Sequence, residues 1–296
     1  MKPLNVLSLF DGISCGQVAL ERAGIPVQNY YASEIDKNAI KIALKNYPRT
    51  IQCGDVKKLD FNCFGEIDLL IGGSPCQDLS IAKQNREGLL GSRSGLFFNY
   101  LDALKTLKPK YFILENNASM SEENKQKISE LIGVEPVLIN SSSFSAQIRK
   151  RLYWTNIPFE EIPEENNQVI KDIQHIDDSR KIYSFEKHKE TIRISQDGTL
   201  VKWDSSGKGY YSQQSRARTN FVKMNTIPAS GTDKNNIYLG NFQYYKIHPI
   251  EAERLQTLPD NYTEGVSDAT RISLCGNGWT VDVIAHILKG LRGEKW

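Results

Sequence analysis

The chain has 296 residues, 40% of them hydrophobic and 24% charged, with a formal net charge of +2. That length buries a substantial apolar interior, either as one large domain or as a core with an appendage. The near balance of charge excludes a molecule-wide field for a polyanion, so any nucleic-acid site must be a local patch.

In chain order, residues 5–10 (NVLSLF) form the first expected strand and a helix follows over Cys15–Ala23. Between them Phe10, Asp11, Gly12, Ile13, Ser14 and Cys15 make a turn of small residues that lets a ligand reach the backbone and the helix N-terminus. A plain turn without a ligand has the same look. A second strand over 30–33 ends at Glu34, ahead of a helix over 37–46. An acid about 20 residues beyond a glycine turn can bond ribose hydroxyls. Asp55 stands where a third strand would end, and a carboxylate there can accept from an exocyclic amine. The two acids suggest an adenosine-containing ligand, although exposed Asp and Glu are common in such loops.

The apolar run over 67–71 leads into Gly72-Gly73-Ser74-Pro75-Cys76-Gln77. A helix over 96–107, a strand over 111–114 ending at Glu115, and a strand over 137–139 continue an alternation that predicts an α/β fold, a mostly parallel sheet covered on both faces. Ligands then sit at the carboxyl ends of its strands. The five cysteines are odd in number and widely spread, with no CxxC pair and only four histidines beside them, which argues against a disulfide framework and against a metal site. Cys76, in a loop beyond a central strand, is placed as a nucleophile more plausibly than as core. Arg149 and Arg151 alternate within QIRKRLYW, so one extended strand would turn both to the same side.

Residues 157–222 change in texture, with acidic, charged and Gly/Ser/aromatic/basic stretches and little helical periodicity, so a small irregular or β-rich insert is expected there. Pro249 then opens a helix, and another over 281–291 closes the sequence. No run approaches the roughly 18 apolar residues of a membrane span, and the apolar run in MKPLNVLSLFDG is too short for a signal-peptide core. The expectation is a soluble intracellular protein with no membrane partner.

Five motifs now stand in order: Phe10-Asp11-Gly12, Gly73-Ser74-Pro75-Cys76-Gln77, Glu115-Asn116, Gln147-Ile148-Arg149-Lys150-Arg151 and Gly276-Asn277-Gly278. In this the sequence resembles the DNA (cytosine-5) methyltransferases, from residue 5 to about 156 and again from about 223 to 290. LFDGISCG, ASEID, GGSPCQDLSI and GNGWTVDVI are similar to the animal de novo catalytic domains, while QIRKR is closer to the bacterial restriction-modification type. The resemblance implies a Rossmann-like doubly wound sheet of the S-adenosylmethionine-dependent methyltransferase fold, in a catalytic and cofactor-binding domain of residues 1–156 plus 223–296. Residues 157–222 would be a small target-recognition domain.

The resemblance also implies roles. S-adenosylmethionine would be the methyl donor, S-adenosylhomocysteine the product, and double-stranded DNA the partner. Cys76 would attack C6 of a flipped-out cytosine, Glu115 would hold N3, and Arg151 with Arg149 would bind O2 or the flanking backbone. The cofactor would lie against Phe10, Asp11, Gly12, Ile13, Ser14, Cys15, Glu34, Ile35, Asp55, Val56, Pro75, Asn277, Gly278 and Trp279. Residues 80–95, with glycines at 88, 91 and 95, would form a lid. Gln77 and Ser80 would touch DNA, as would Arg216 and Arg218, with Tyr210, Tyr211, Gln213 and Gln214 further candidates in the insert. For a bacterial or phage source the protein would be cytoplasmic and nucleoid-associated, with a restriction endonuclease as an expected partner in the cell.

Three departures stand out: Ser14 and Cys15 occupy the first turn, Asn117 replaces an apolar residue after Glu115-Asn116, and the insert is short. Other readings remain open. An RNA cytosine-5 methyltransferase usually carries its nucleophile on the strand after the Pro-Cys loop, where this chain has Glu-Asn-Asn. A catalytically dead DNA-binding homologue would lack Cys76, Glu115 or Arg151. A nicotinamide dehydrogenase leaves Cys76 and QIRKR unexplained.

Overall fold

The computed structural model describes residues 1–74, 95–175, 180–184, 192–194, 200–203, 209–210, 217–219, 221–227, 236–241 and 243–293. They carry β1 (Leu4–Leu9), α1 (Cys15–Ala23), β2 (Val27–Ser33), α2 (Lys37–Asn46), β3 (Ile51–Gln52), β4 (Leu69–Gly73), α3 (Gly95–Leu107), β5 (Tyr111–Asn117), α4 (Glu122–Ile132), β6 (Val137–Asn140), β7 (Gln147–Ile148) and β8 (Lys150–Thr155). Beyond these come α5 (Ile170–Ile173), β9 (Tyr183–Ser184), β10 (Ile192–Ile194), β11 (Leu200–Trp203), β12 (Gly209–Tyr210), β13 (Ala217–Thr219), β14 (Met224–Asn225), β15 (Asn236–Gly240), β16 (Gln243–Lys246), α6 (Pro249–Leu255), α7 (Asp268–Asn277) and α8 (Val281–Lys289). By packing, the chain divides into one unit of Met1–Asn140, Lys150–Ile162 and Val281–Trp296 and a second of Ser141–Arg149 and Pro163–Thr280.

The first unit is a seven-stranded sheet in the order β3-β2-β1-β4-β5-β8-β6, parallel except for β8, which runs against both of its neighbours. Its central strands are buried almost without interruption, as a sheet covered on both faces requires. One cluster joins Leu7, Leu9, Leu70 and Leu114 of the sheet to Phe97, Tyr100 and Leu101 of α3 and to Ile128 of α4. Neither α1 nor α8 contributes to it; they pack against one another, and Arg22 is paired with Asp282 at 2.8 Å. Gly72 is fixed by this packing: a Cβ there would lie 3.0 Å from both the Leu9 carbonyl oxygen and the Tyr100 ring.

The register aligns the strand ends. Leu9 is opposite Ser33 on one side and Gly72 on the other, and Gly73 is opposite Glu115. The Phe10–Ser14 turn, Glu34, Ser74 and Glu115 therefore leave the sheet at one edge.

The second unit holds a four-stranded sheet β13-β15-β16-β9, a three-stranded sheet β10-β11-β12, and the pair β14-β7. The expected insert of 157–222 is thus one part of a larger body, because the β15–β16 hairpin pairs with β9 and β13, and β14 pairs with β7. The α6 helix begins as its proline suggests, with Pro249 in the first turn and His248 as N-cap, its ring accepting from the Ile250 N–H at 3.2 Å. The sequence reading missed α4 and α7. α4 is a mostly polar helix that buries only Ile128 and Ser129, marked in the sequence by its Ser121 N-cap and by Gly133 just past its end.

Candidate active site

The turn after β1 is held from within. Phe10, Gly12 and Ser14 all take positive φ, 59°, 60° and 59°, a region costly for the two that are not glycine. Asp11 offsets that cost. Its carboxylate is buried and accepts from the hydroxyls of Ser14 and, at 2.7 Å, Tyr30. Burial pushes this carboxyl up to about 6 against the hydrogen bonds that favour its charge. Asp11 and Ser14 thus shape the turn. Ile13, Cys15 and Val56 are buried as well, supporting this edge with their side chains.

Glu34 closes the turn from the neighbouring strand. One carboxylate oxygen accepts the Gly12 N–H at 2.8 Å, and the other accepts the N–H groups of Ile35 at 2.7 Å and Asp36 at 2.9 Å. A carboxylate offers about four acceptor positions, so capacity remains for a hydroxyl donor. Beside it Ile35 is 71% exposed, an apolar surface at the mouth of a polar site. Asp55 lies three residues beyond the next strand, half-buried, capping a short 3-10 turn with one oxygen accepting the Lys57 N–H at 3.0 Å. Among the described residues, Gly12's own chain neighbours aside, no heavy atom lies within 4 Å of where a Gly12 Cβ would sit. Two acids for hydroxyl or amine donors, an exposed aliphatic face and an open glycine turn fit a nucleoside.

A second group lies at the ends of β4 and β5. Glu115 is 8% exposed, and one of its carboxylate oxygens is 2.8 Å from Nε of Arg151 on β8. Asn116 donates to the Ser74 hydroxyl at 3.0 Å, tying the exit of β4 to that of β5. The unexpected Asn117 has a local use: its side chain accepts the Ser119 N–H at 3.1 Å and turns the chain toward α4. Two residues after Ser74 comes Cys76. It lies outside the described residues, as do Pro75, Gln77, Ser80 and nearly all of the expected lid at 80–95. Two other accessible thiols are held above the usual cysteine range, Cys53 by burial and Cys63 by its hydrogen bond to Asp60.

The two arginines of QIRKR do not share a side, which corrects the expectation of one continuous strand. The strand breaks at Arg149, between β7 and β8. Arg151 meets Glu115 in the first unit. Arg149, buried in the second, donates to the carbonyls of Gly276 at 3.2 Å and Gly278 at 2.9 Å. It therefore braces the segment carrying Asn277, Gly278 and Trp279 at the end of α7. Gln256, which no motif marked, holds that segment too, donating to the Cys275 carbonyl and accepting from the Thr280 hydroxyl, both at 2.8 Å.

Among the expected DNA-contacting residues, Arg216, Tyr211, Gln213 and Gln214 lie outside the described residues, and Tyr210 is described only as backbone of β12. Arg218 is only 6% exposed and donates to the Lys223 carbonyl at 2.6 Å, so the structure places it inside the second unit, where a surface contact was expected. Lys223 is itself drawn inward, donating to the Ser145 carbonyl at 3.1 Å, the Asn166 side chain at 2.6 Å and the Gln168 carbonyl at 2.9 Å.

Comparison with known proteins agrees with this geometry. The sequence model of the family described as C-5 cytosine-specific DNA methylase matches residues 4–292. The orphan methyltransferase M.Rho11sI of Bacillus phage rho11s is 38% identical over 165 residues, covering 52% of this chain and 33% of that protein. The orphan methyltransferase M.SPRI of Bacillus phage SPR is 37% identical over 52% of the chain and 37% of its own length, so the chain spans about a third of these relatives. The type II methyltransferase M.NlaX of Neisseria lactamica is 28% identical across 97% of this chain and 96% of its own. Among solved structures, the S. pombe Dnmt2 methyltransferase superposes with a TM-score of 0.69 at 18% identity, over 97% of this chain and 98% of that one. The Entamoeba histolytica methyltransferase EhMeth superposes with a TM-score of 0.70 at 16% identity, over 98% of both. At such identities the structural likeness speaks for the fold alone.

Proposed function

The chain belongs to the C-5 cytosine-specific DNA methylase family, and from that premise we propose that it methylates C5 of a flipped-out cytosine in double-stranded DNA. The observation that carries the proposal is the Glu115–Arg151 pair at the carboxyl end of β5, opposite the strand that leads to Cys76. S-adenosylmethionine, when bound, supplies an electrophilic methyl group.

The chain's own residues do the rest. Gly12, Glu34, Ile35 and Asp55 hold the nucleoside part of the cofactor, with Asp11 and Ser14 fixing the turn. The Cys76 thiolate bonds to C6 of the cytosine, which makes C5 nucleophilic. Glu115, oriented by Arg151, delivers a proton to N3, which takes up the electron pair the thiolate pushes into the ring, and recovers it when the sulfur leaves. After C5 is substituted, a base removes its proton, the freed electron pair restores the C5–C6 double bond, and the sulfur leaves. A stacked base hides C6, so the cytosine must leave the helix first. Gln77 and Ser80 touch the DNA and Pro75 the cofactor, while within the second unit Arg149 braces the segment of Asn277, Gly278 and Trp279.

Duplex DNA carrying 5-fluorocytosine tests the reading. The fluorine cannot be abstracted, so a denaturant-resistant adduct forms with the wild-type chain and none with Cys76→Ser. An adduct that survives this substitution assigns the nucleophile elsewhere. Labelled methyl transfer to DNA but not to RNA separates this reading from the RNA enzyme, and bisulfite sequencing gives the site. Among the described residues no helix is long and apolar enough to cross a membrane; a cytoplasmic place beside the nucleoid follows from the proposed action on DNA. Cleavage of unmethylated DNA by extracts of the source cells checks the expectation of a restriction endonuclease partner.

A further inference from the structure

Where α6 begins, the second unit packs a chain of polar groups that the sequence reading did not mark. Glu251 of α6 is 0% exposed and its carboxylate is fully engaged. One oxygen accepts the His175 N–H at 3.0 Å, a guanidinium N–H of Arg180 at 3.0 Å and the Tyr245 hydroxyl at 3.2 Å, and the other accepts the His248 N–H at 2.8 Å. Those four donors fill the acceptor positions of a carboxylate. Arg254 adds bonds to the Ile173 and Gln174 carbonyls at 3.2 Å and 2.8 Å. Ile173, Gln174, His175 and Arg180, which lead to the edge strand β9, are thereby seated on α6. Within this seat the rings of His175 and His248 stack, 4.6 Å apart and at 28°. Nδ1 of His248 accepts the Ile250 N–H, so the neutral ring carries its proton on Nε2.

We infer that this stacked pair is a proton-operated latch: with both rings neutral it holds His175 and its neighbours on the N-terminus of α6, and a proton taken up at Nδ1 of His248 releases them. The chemistry follows from the acceptor. A proton on Nδ1 turns the capping acceptor into a donor facing the Ile250 N–H, and the cap is lost. It also sets a cation against the His175 ring and beside Arg180, while Glu251 has no acceptor position left to meet it. Burial first, and then the neighbouring His175, hold the His248 imidazole below its usual 6.5; Arg180 acts in the same sense, and Glu251 and Asp268 pull against them. Asp260, which also faces His175, is paired with Arg254 at 2.6 Å. The contribution of His248 to the seat is therefore present above pH 6.5 and lost as pH falls below it.

Amide hydrogen exchange and ring-proton titration by NMR on the full chain test the latch. Both are read locally, because Asp11 moves overall stability in the opposite sense. From about pH 7.5 to about pH 5.5, the protection factors of the Ile250 and His175 amides should fall about fivefold, the worth of one N-cap acceptor, while those of Leu7 and Ile71 in the first unit hold. His248→Asn keeps a capping oxygen and does not titrate, so it should remove the pH dependence. The wild-type His248 ring should titrate below 6.5, with the same midpoint as the loss of protection. Constant protection in wild type, a loss that persists in His248→Asn, or a ring midpoint at or above 6.5 overturns the inference, and the ring titration decides even if the variant folds poorly. Because β9 shares a sheet with β13, which lies in the segment from which base reading was expected, release should also weaken DNA binding on the proposed function. Wild type should then lose more affinity for a labelled duplex over the same window than His248→Asn does. A chain that binds no DNA overturns the proposed function, while exchange and titration still judge the latch.

Discussion

A carboxylate acts according to what holds it, and the two most deeply placed acids of the first unit are held for different ends. Glu115 is gripped by Arg151 through Nε, with the guanidinium fixed further by a bond from Nη1 to the Lys150 carbonyl at 2.9 Å. Glu115→Gln keeps the shape and removes the acid proton that N3 would take up, so kcat should fall by about 10²–10³ in single-turnover methyl transfer. Arg151→Lys should recover only part of what Arg151→Ala loses, because an ammonium lacks the planar fork. Asp11 is buried and its carboxyl stands at about 6, above its usual 3.8. Between those values the folded protein binds the proton more tightly than the unfolded chain, so this group's contribution to stability is present at low pH and is lost as pH rises through about 6. The loss should be on the order of 2–3 kcal/mol. Denaturant titrations across this window should show wild type losing more stability with rising pH than Asp11→Asn, and equal slopes would remove Asp11 as the cause.

Turns and strand ends carry the next scale. Glu34 bonds three backbone N–H groups, so it organises the glycine turn before any ligand arrives. Glu34→Ala removes those bonds together with the acceptor for ribose, each charge-assisted bond being worth about 1.5–3 kcal/mol. Calorimetry should find S-adenosylmethionine bound at least tenfold more weakly, and an unchanged affinity would move the cofactor elsewhere. Gly72 decides how closely β4 approaches β1 and α3. Gly72→Ala should cost about 1–3 kcal/mol by forcing a Cβ against backbone and an aromatic ring, measured as a lowered denaturant midpoint with an unchanged m-value.

At the scale of the whole chain, the side chains discussed fall in two bodies: Glu34, Asp55 and Glu115 in the first, Arg149 and Arg218 in the second. Burial gives Arg218 an outcome unlike the one expected of Arg216. Arg218→Ala removes a buried donor and should lower stability by about 1–3 kcal/mol, leaving the methylated motif as it was. Arg216→Ala should relax the motif at one position if that side chain reads a base, or weaken all sites alike if it binds phosphate. Sequencing the methylated products of both variants, with melting curves alongside, checks the assignment.

Much of this protein was legible in order along the chain. The alternation of apolar runs with amphipathic helices predicted the parallel sheet, and the small-residue turn, Glu34 and Glu115 were read at strand ends, where the structure places them, because strand and helix periods and the residue types that make turns are local properties. Contacts between distant residues are not. Arg149 and Arg151 read alike until the break in the strand gives one to Glu115 and the other to carbonyls 127 and 129 residues away. Arg218 read as surface until it was found 6% exposed, and His175 meets His248 only through the packing of distant segments. Composition and spacing specify which groups a chain carries and roughly where each element begins. The partner of each group depends on register and packing between segments far apart in sequence, and that the tertiary structure alone decided.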